Sequence, residues 1–171
     1  MLKYDSTETM SMKTRVVPLL LLSATIAGCS ATERLYPVQG PLAAQRPLPV
    51  YVATMDGVVS GNIRTILNTG EVCAGTWSRV VRVSSSDAAD AVIDVPPVTL
   101  SEQWDGVYGA GYYTAHIVDA PSHAHSVVSG SRGPVLYVEF VKLTDIGRRS
   151  GPGSIVGIAK DNRGNVFRLT F

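Results

Sequence analysis

Two histidines one residue apart, His123 and His125, are the first candidates for chemistry in this chain, since an extended backbone repeats its side chains every second residue and turns both imidazoles to one side. That spacing suits chelation of Zn or Cu. A site would need further ligands brought from elsewhere in space, with His116 the nearest candidate and Asp119 or Cys73 behind it. The plainer reading is a polar loop that carries two surface histidines. If metal binds, the imidazoles must be neutral, so affinity falls below about pH 6.

A second constellation lies just upstream, where Trp104, Tyr108, Tyr112 and Tyr113 place four aromatic rings within ten residues, interleaved with Gly106, Gly109 and Gly111. Flat rings stack on sugars, bases or other rings, and glycine lets backbone approach a ligand closely. The four aromatics are therefore candidate ligand contacts, for example a sugar or peptidoglycan platform. Against this stands the ordinary need of a β domain for rings in its core and glycines at its bends.

Catalytic templates are mostly missing. The chain has no G-x-S-x-G, H-E-x-x-H, Walker loop or C-x-x-C, and Gly109-Ala110-Gly111 has Thr114 where a dinucleotide fingerprint needs its third glycine. A Ser, His and Asp set can be drawn from any chain of this size and means little without geometry. No enzymatic activity and no cofactor are expected. Arg148 and Arg149 form a short basic tip that could touch anionic lipid or lipopolysaccharide, although a solvated loop is the better explanation.

The elements that would hold these residues read as β structure. Hydrophobic residues make up 45% of the 171, which excludes general disorder, while 16 Gly and 10 Pro argue against a helical bundle. Residues 50–55 form a β-branched run that stops at Asp56-Gly57, residues 60–83 read as a long hairpin turning at Asn68-Thr69-Gly70, and residues 134–143 alternate cleanly. Residues 155–160 and 165–171 form a second hairpin through Asp161-Asn162-Arg163-Gly164. The two hairpins share an Asn-x-Gly turn, explained by a glycine in the left-handed position of a bulged type I turn, and each sends an aromatic, Trp77 or Phe171, outward along a strand toward a shared core. Residues 112–118 make one further candidate strand. Residues 84–94 could form helical turns capped by Ser86 or Asp87, and Cys73 sits in a strand-like run as a small buried hydrophobe.

The N-terminal part is of another kind. Lys13 and Arg15 precede an apolar run over residues 16–26, then the small residues Ala27 and Gly28, then Cys29. The run is far short of the roughly 20 apolar residues of a membrane-spanning helix and has the three parts of a secretory signal. Ile26-Ala27-Gly28-Cys29 resembles the lipobox of bacterial lipoprotein precursors. The resemblance covers about 18 residues, and it implies lipidation of Cys29, cleavage before it, and a bacterial envelope location. Ser30 at the next position implies the outer membrane, with the domain facing the periplasm. Asp5 and Glu8 suit a signal poorly, so translation could begin at Met10 or Met12 instead of Met1.

Three basic and two acidic residues lie within positions 1–28, and the remainder carries 12 of each sign. Such a neutral body offers no basic stripe, so nucleic acid is not an expected partner. The expected organisation is a signal peptide at 1–28, a lipidated Cys29 with a Pro-rich tether to residue 49, and one β domain at 50–171 with an irregular insertion at 84–133. The expected fold is all-β: a small antiparallel barrel or sandwich of about six strands. The expected role is that of an envelope-anchored module for binding or assembly, meeting another envelope protein or the cell wall. The alternative is a periplasmic binder of a small ligand or metal through residues 104–125.

Overall fold

The computed structural model describes residues 30–80, 99–147 and 155–170. Eight strands follow one another as β1 (Ser30–Gln39), β2 (Tyr51–Asp56), β3 (Ser60–Ile66), β4 (Val72–Arg79), β5 (Ala124–Gly130), β6 (Val135–Lys142), β7 (Ile155–Asp161) and β8 (Val166–Thr170). Each pairs antiparallel with the next, and β1 pairs with β8 through Leu35 and Leu169, so the sheet closes into an up-and-down barrel. Period-two alternation sends one side chain of each pair inward. Leu35, Tyr51, Met55, Ile63, Cys73, Trp77, Val128, Leu136, Val138, Phe140, Phe167 and Leu169 thereby form one apolar interior. Over β1 to β4 the opposite face is exposed and mixed, carrying Arg34, Thr54, Asn62 and Arg64 beside Val52, Ile66 and Val72.

The expected β architecture holds, with eight strands in place of about six. One of the two additional strands is β1. Residues 30–39 are a strand of the barrel wall and not a tether, so the domain begins at least twenty residues earlier than its sequence suggests. The alternation there, with Glu33, Leu35 and Pro37 buried, is masked by a glutamate and a proline at inward positions. The other is β5, which lies inside the stretch expected to be irregular and contains His125. Conversely, residues 112–118 are no strand. Tyr113–Ile117 form one π-helical turn, with the Val118 N–H donating to the Tyr113 carbonyl at 3.0 Å. The helical turns expected at 84–94, together with Arg148, Arg149, Cys29 and Phe171, lie outside the described residues.

Three hairpin turns at one end of the barrel share a geometry. At Leu67/Glu71, Gly130/Pro134 and Asp161/Asn165 the first residue's N–H donates to the carbonyl of the fourth following residue. A glycine at φ +75°, +96° or +83° (Gly70, Gly133, Gly164) precedes each closing residue. This is the bulged type I turn foreseen at two of the three sites. The connection between β1 and β2 covers this end. Leu42, in a 3-10 turn at Pro41–Ala44, donates its N–H to Asn165 Oδ1 at 2.9 Å and packs against the interior cluster.

The described part of the β4–β5 connection from residue 99 onward packs outside the barrel. It includes helix α1 (Ser101–Tyr108), whose apolar side together with Leu100 and Ile117 lies on the outer face of β6, β7 and β8 against Val141, Val156, Ile158 and Val166. This explains why β6 and β7 are largely buried on both faces while β1 to β4 alternate; β8 has only Val166 under the collar and keeps Arg168 exposed.

Candidate functional site

The two ends of the barrel differ. The end opposite the three tight turns opens into a cavity of about 520 Å³, a volume within the range of small-ligand sites. Ala31, Met55, Trp77, Phe140 and Ile155 give it an apolar wall, and Asp56, Arg79 and Lys142 stand among its lining residues as charged groups. Trp77 and Phe140 meet edge to face at 5.4 Å, and the Trp77 indole N–H donates to the Asp56 carbonyl at 2.7 Å, which fixes the ring in the wall. The Asp56 carboxylate accepts the Asn62 backbone N–H at 2.6 Å and its side-chain amide, bonds that hold it below the usual carboxylate range. The Arg79 guanidinium donates to the Val58 carbonyl at 3.1 Å. Ser122 also lines the cavity; its hydroxyl accepts the Lys142 N–H at 2.7 Å, and its own N–H donates to Asp145 at 2.9 Å.

Below this opening lies a group that sequence reasoning missed. Glu33 points inward from β1, one inward position beyond Ala31 and directly across from Ala53. It is 0% exposed, and neither carboxyl oxygen has a hydrogen-bond partner among the described residues. Burial alone pushes its carboxyl up to about 8, so at neutral pH it is held chiefly as the neutral acid. The signal was present in Thr32-Glu33-Arg34-Leu35, but a glutamate in an apolar phase reads as a break in the alternation. Cys73 is buried in the same interior and its thiol is raised by burial, in keeping with a packing role.

The aromatic residues expected to meet a ligand form a collar outside the barrel. Trp104 is fully buried, and its ring lies 5.3 Å from Tyr108 and 6.1 Å from Tyr112, while Tyr108 and Tyr112 stack at 4.9 Å. Their faces are occupied by one another and by the barrel wall. Gly109 and Gly111, at φ +117° and +77°, turn the chain out of α1, and Asp105 accepts the Gly111 and Tyr113 N–H groups at 3.0 and 2.9 Å to start the π turn. The glycines serve this bend.

The three histidines are divided. His116 is exposed, with its ring 4.6 Å from Tyr112. His123 and His125 are both buried and converge on Glu139, which stands across from His125 in the β5–β6 register and 3.7 Å from His123 Nε2. Tyr113 meets the His123 ring edge-on at 6.2 Å. Among the described residues no three His, Cys, Asp or Glu side chains gather as a metal site. Glu139 serves instead as a latch: its two oxygens accept the Leu100 N–H at 3.0 Å and the Trp104 indole N–H at 3.1 Å, which ties the start of α1 to the strand beneath it.

Taken together, fold and site define a closed eight-stranded up-and-down antiparallel barrel, covered at one end by the β1–β2 connection, open and apolar at the other, with a helical collar on its outer wall. No protein-family model, curated protein or solved structure matches the chain.

Proposed function

We propose that this protein is an envelope-anchored binding protein whose ligand, small and mostly apolar, occupies the open end of the barrel. One observation carries the reading: an apolar cavity of about 520 Å³ at one end of a closed barrel, more than twice the cavity of about 230 Å³ beneath the β1–β2 connection at the other end. Closed eight-stranded barrels either fill their interior with side chains or hold one small ligand, and an apolar opening of this volume favours the second. The site is then the barrel mouth, and not the aromatic and histidine segment at 104–125, whose faces are engaged in packing.

The anchor fits this reading. Ser30 lines the cavity and directly follows Cys29 in the chain. Acyl chains on Cys29 would hold the mouth, and not the end covered by the β1–β2 connection, against the bilayer, where apolar molecules partition.

Binding of a neutral fluorophore, N-phenyl-1-naphthylamine, tests the proposal. The chain from Ser30 onward, which keeps all eight strands, should bind it with enhanced, blue-shifted emission. Ala31→Trp, which fills the mouth, should reduce that binding by about tenfold or more, a loss of roughly 1.4 kcal/mol. No binding, or binding that Ala31→Trp leaves intact, counts against the proposal.

A further inference from the structure

The mouth combines two surfaces that ask for opposite things of a ligand. Its wall is Met55, Trp77, Phe140 and Ile155, which gain from excluding water with an apolar partner. Two cations, the Lys142 ammonium and the Arg79 guanidinium, line the same cavity. The third charged group, Asp56, has its carboxylate oxygens bonded to Asn62. Among the described residues the Arg79 guanidinium uses one donor, on the Val58 carbonyl, and a guanidinium has five, so four donors remain for a bound anion there. Lys142 sits at the end of β6 with its backbone N–H fixed by Ser122, which sets the root of its side chain at the rim.

Volume narrows the choice further. If a methylene takes about the share of volume of a water molecule, ~30 Å³, one alkyl chain of roughly a dozen carbons fits within 520 Å³, and the two long chains of a diacyl lipid do not.

From this geometry we propose that the mouth binds a single-chain anionic amphiphile of the alkyl carboxylate class. The tail enters along Trp77, Phe140, Met55 and Ile155, and the carboxylate remains at the rim on Lys142 and Arg79. This assignment rests on the reading of the mouth as a ligand site and adds to it the ligand's class and direction of insertion. Tail-first insertion leaves the charged head near water, where two partial cation contacts suffice; head-first insertion would bury a charge.

The test uses three probes of one chain length, dodecanoate, dodecanol and dodecylamine, each below its micellar concentration near neutral pH. Each is titrated to displace N-phenyl-1-naphthylamine from the chain that begins at Ser30. The readout is the ratio between acid and alcohol, which cancels losses common to both. The wild type should prefer dodecanoate to dodecanol by about tenfold, one or two charge-assisted contacts, with dodecylamine weakest. Lys142→Gln should shrink that ratio several-fold and Lys142→Gln/Arg79→Gln should bring it near one, with circular dichroism showing the β spectrum retained. Equal displacement by acid and alcohol in the wild type, or a ratio that survives the double substitution, overturns the proposal while leaving the mouth as an apolar site. Tightest binding of dodecylamine, lost in Glu33→Gln, would overturn it in favour of head-first insertion. If the fluorophore itself does not bind, the reading of the mouth as a ligand site fails first.

Discussion

Glu33 gives this barrel a stability that varies with pH between its unfolded and folded titrations. Its carboxyl is raised by burial to about 8 from an ordinary 4.5. The unfolded chain gives up that proton near pH 4.5 and the folded barrel keeps it to about pH 8, so across this window the unfolded state binds fewer protons and stability falls as pH rises. Below the window both states hold the proton, and above it neither does. The loss amounts to as much as about 1.4 kcal/mol per pH unit within the window. Urea unfolding of wild type and Glu33→Gln across that range should show the variant gaining on the wild type steadily as pH rises; parallel curves would mean that the carboxyl is not held neutral. Cys73, buried in the same interior, shows the contrasting case of a polarisable side chain that packs at little cost.

At the level of elements, one carboxylate fastens the helical collar to the barrel. Glu139 accepts the Leu100 N–H, which helix geometry leaves without an internal partner at the start of α1, and also the Trp104 indole. Glu139→Ala strands both donors in a buried site, and the expected destabilisation is about 2–4 kcal/mol. Thermal unfolding measures it, and near-ultraviolet circular dichroism should lose the Trp104 contribution as the collar loosens; an unchanged melting temperature would remove the latch from the account. The His-x-His spacing did place both imidazoles on one face, as extended geometry requires. That face turned out to be the outer wall beneath the collar, where His123 and His125 meet Glu139. Period two tells which residues share a side and cannot tell what covers that side. The strands missed by sequence, β1 and β5, carry polar residues at inward positions, Glu33 in one and Ser126 in the other, as β3 also does with Thr65, whose flanking Ile63 and Asn-Thr-Gly turn nevertheless marked it as a strand. Ser126 sits buried because its hydroxyl donates to the Thr76 carbonyl at 2.8 Å, a partner fifty residues away that no local pattern announces.

For the molecule as a whole, closure is the decisive event. With β1 paired to β8 the described barrel has no free strand edge, so a partner that adds a strand to an edge has no place to do so, and any assembly role would fall to the outer wall or the rim. Closure also brings Ser30 to the open end, next to Cys29 in the chain, and this links the proposed anchor to the proposed site. The Cys29→Ala protein should lose acyl labelling and remain as an unprocessed precursor; normal labelling of that variant would remove the anchor. Local order was legible in the residues themselves. Six of the eight strands, the glycine turns at Gly70 and Gly164, and the buried Cys73 followed from alternation, turn chemistry and hydrophobicity, which act over a few residues. Tertiary structure alone decided that residues 30–39 form a wall, that the aromatic segment is a collar and that a cavity opens at a mouth assembled from β1, β2, β4, β6 and β7. The physical reason is that a closed barrel's interior, rim and covered end come from pairing strands distant in sequence, and a residue's fate as wall, latch or cavity lining depends on partners that its neighbours in the chain do not specify.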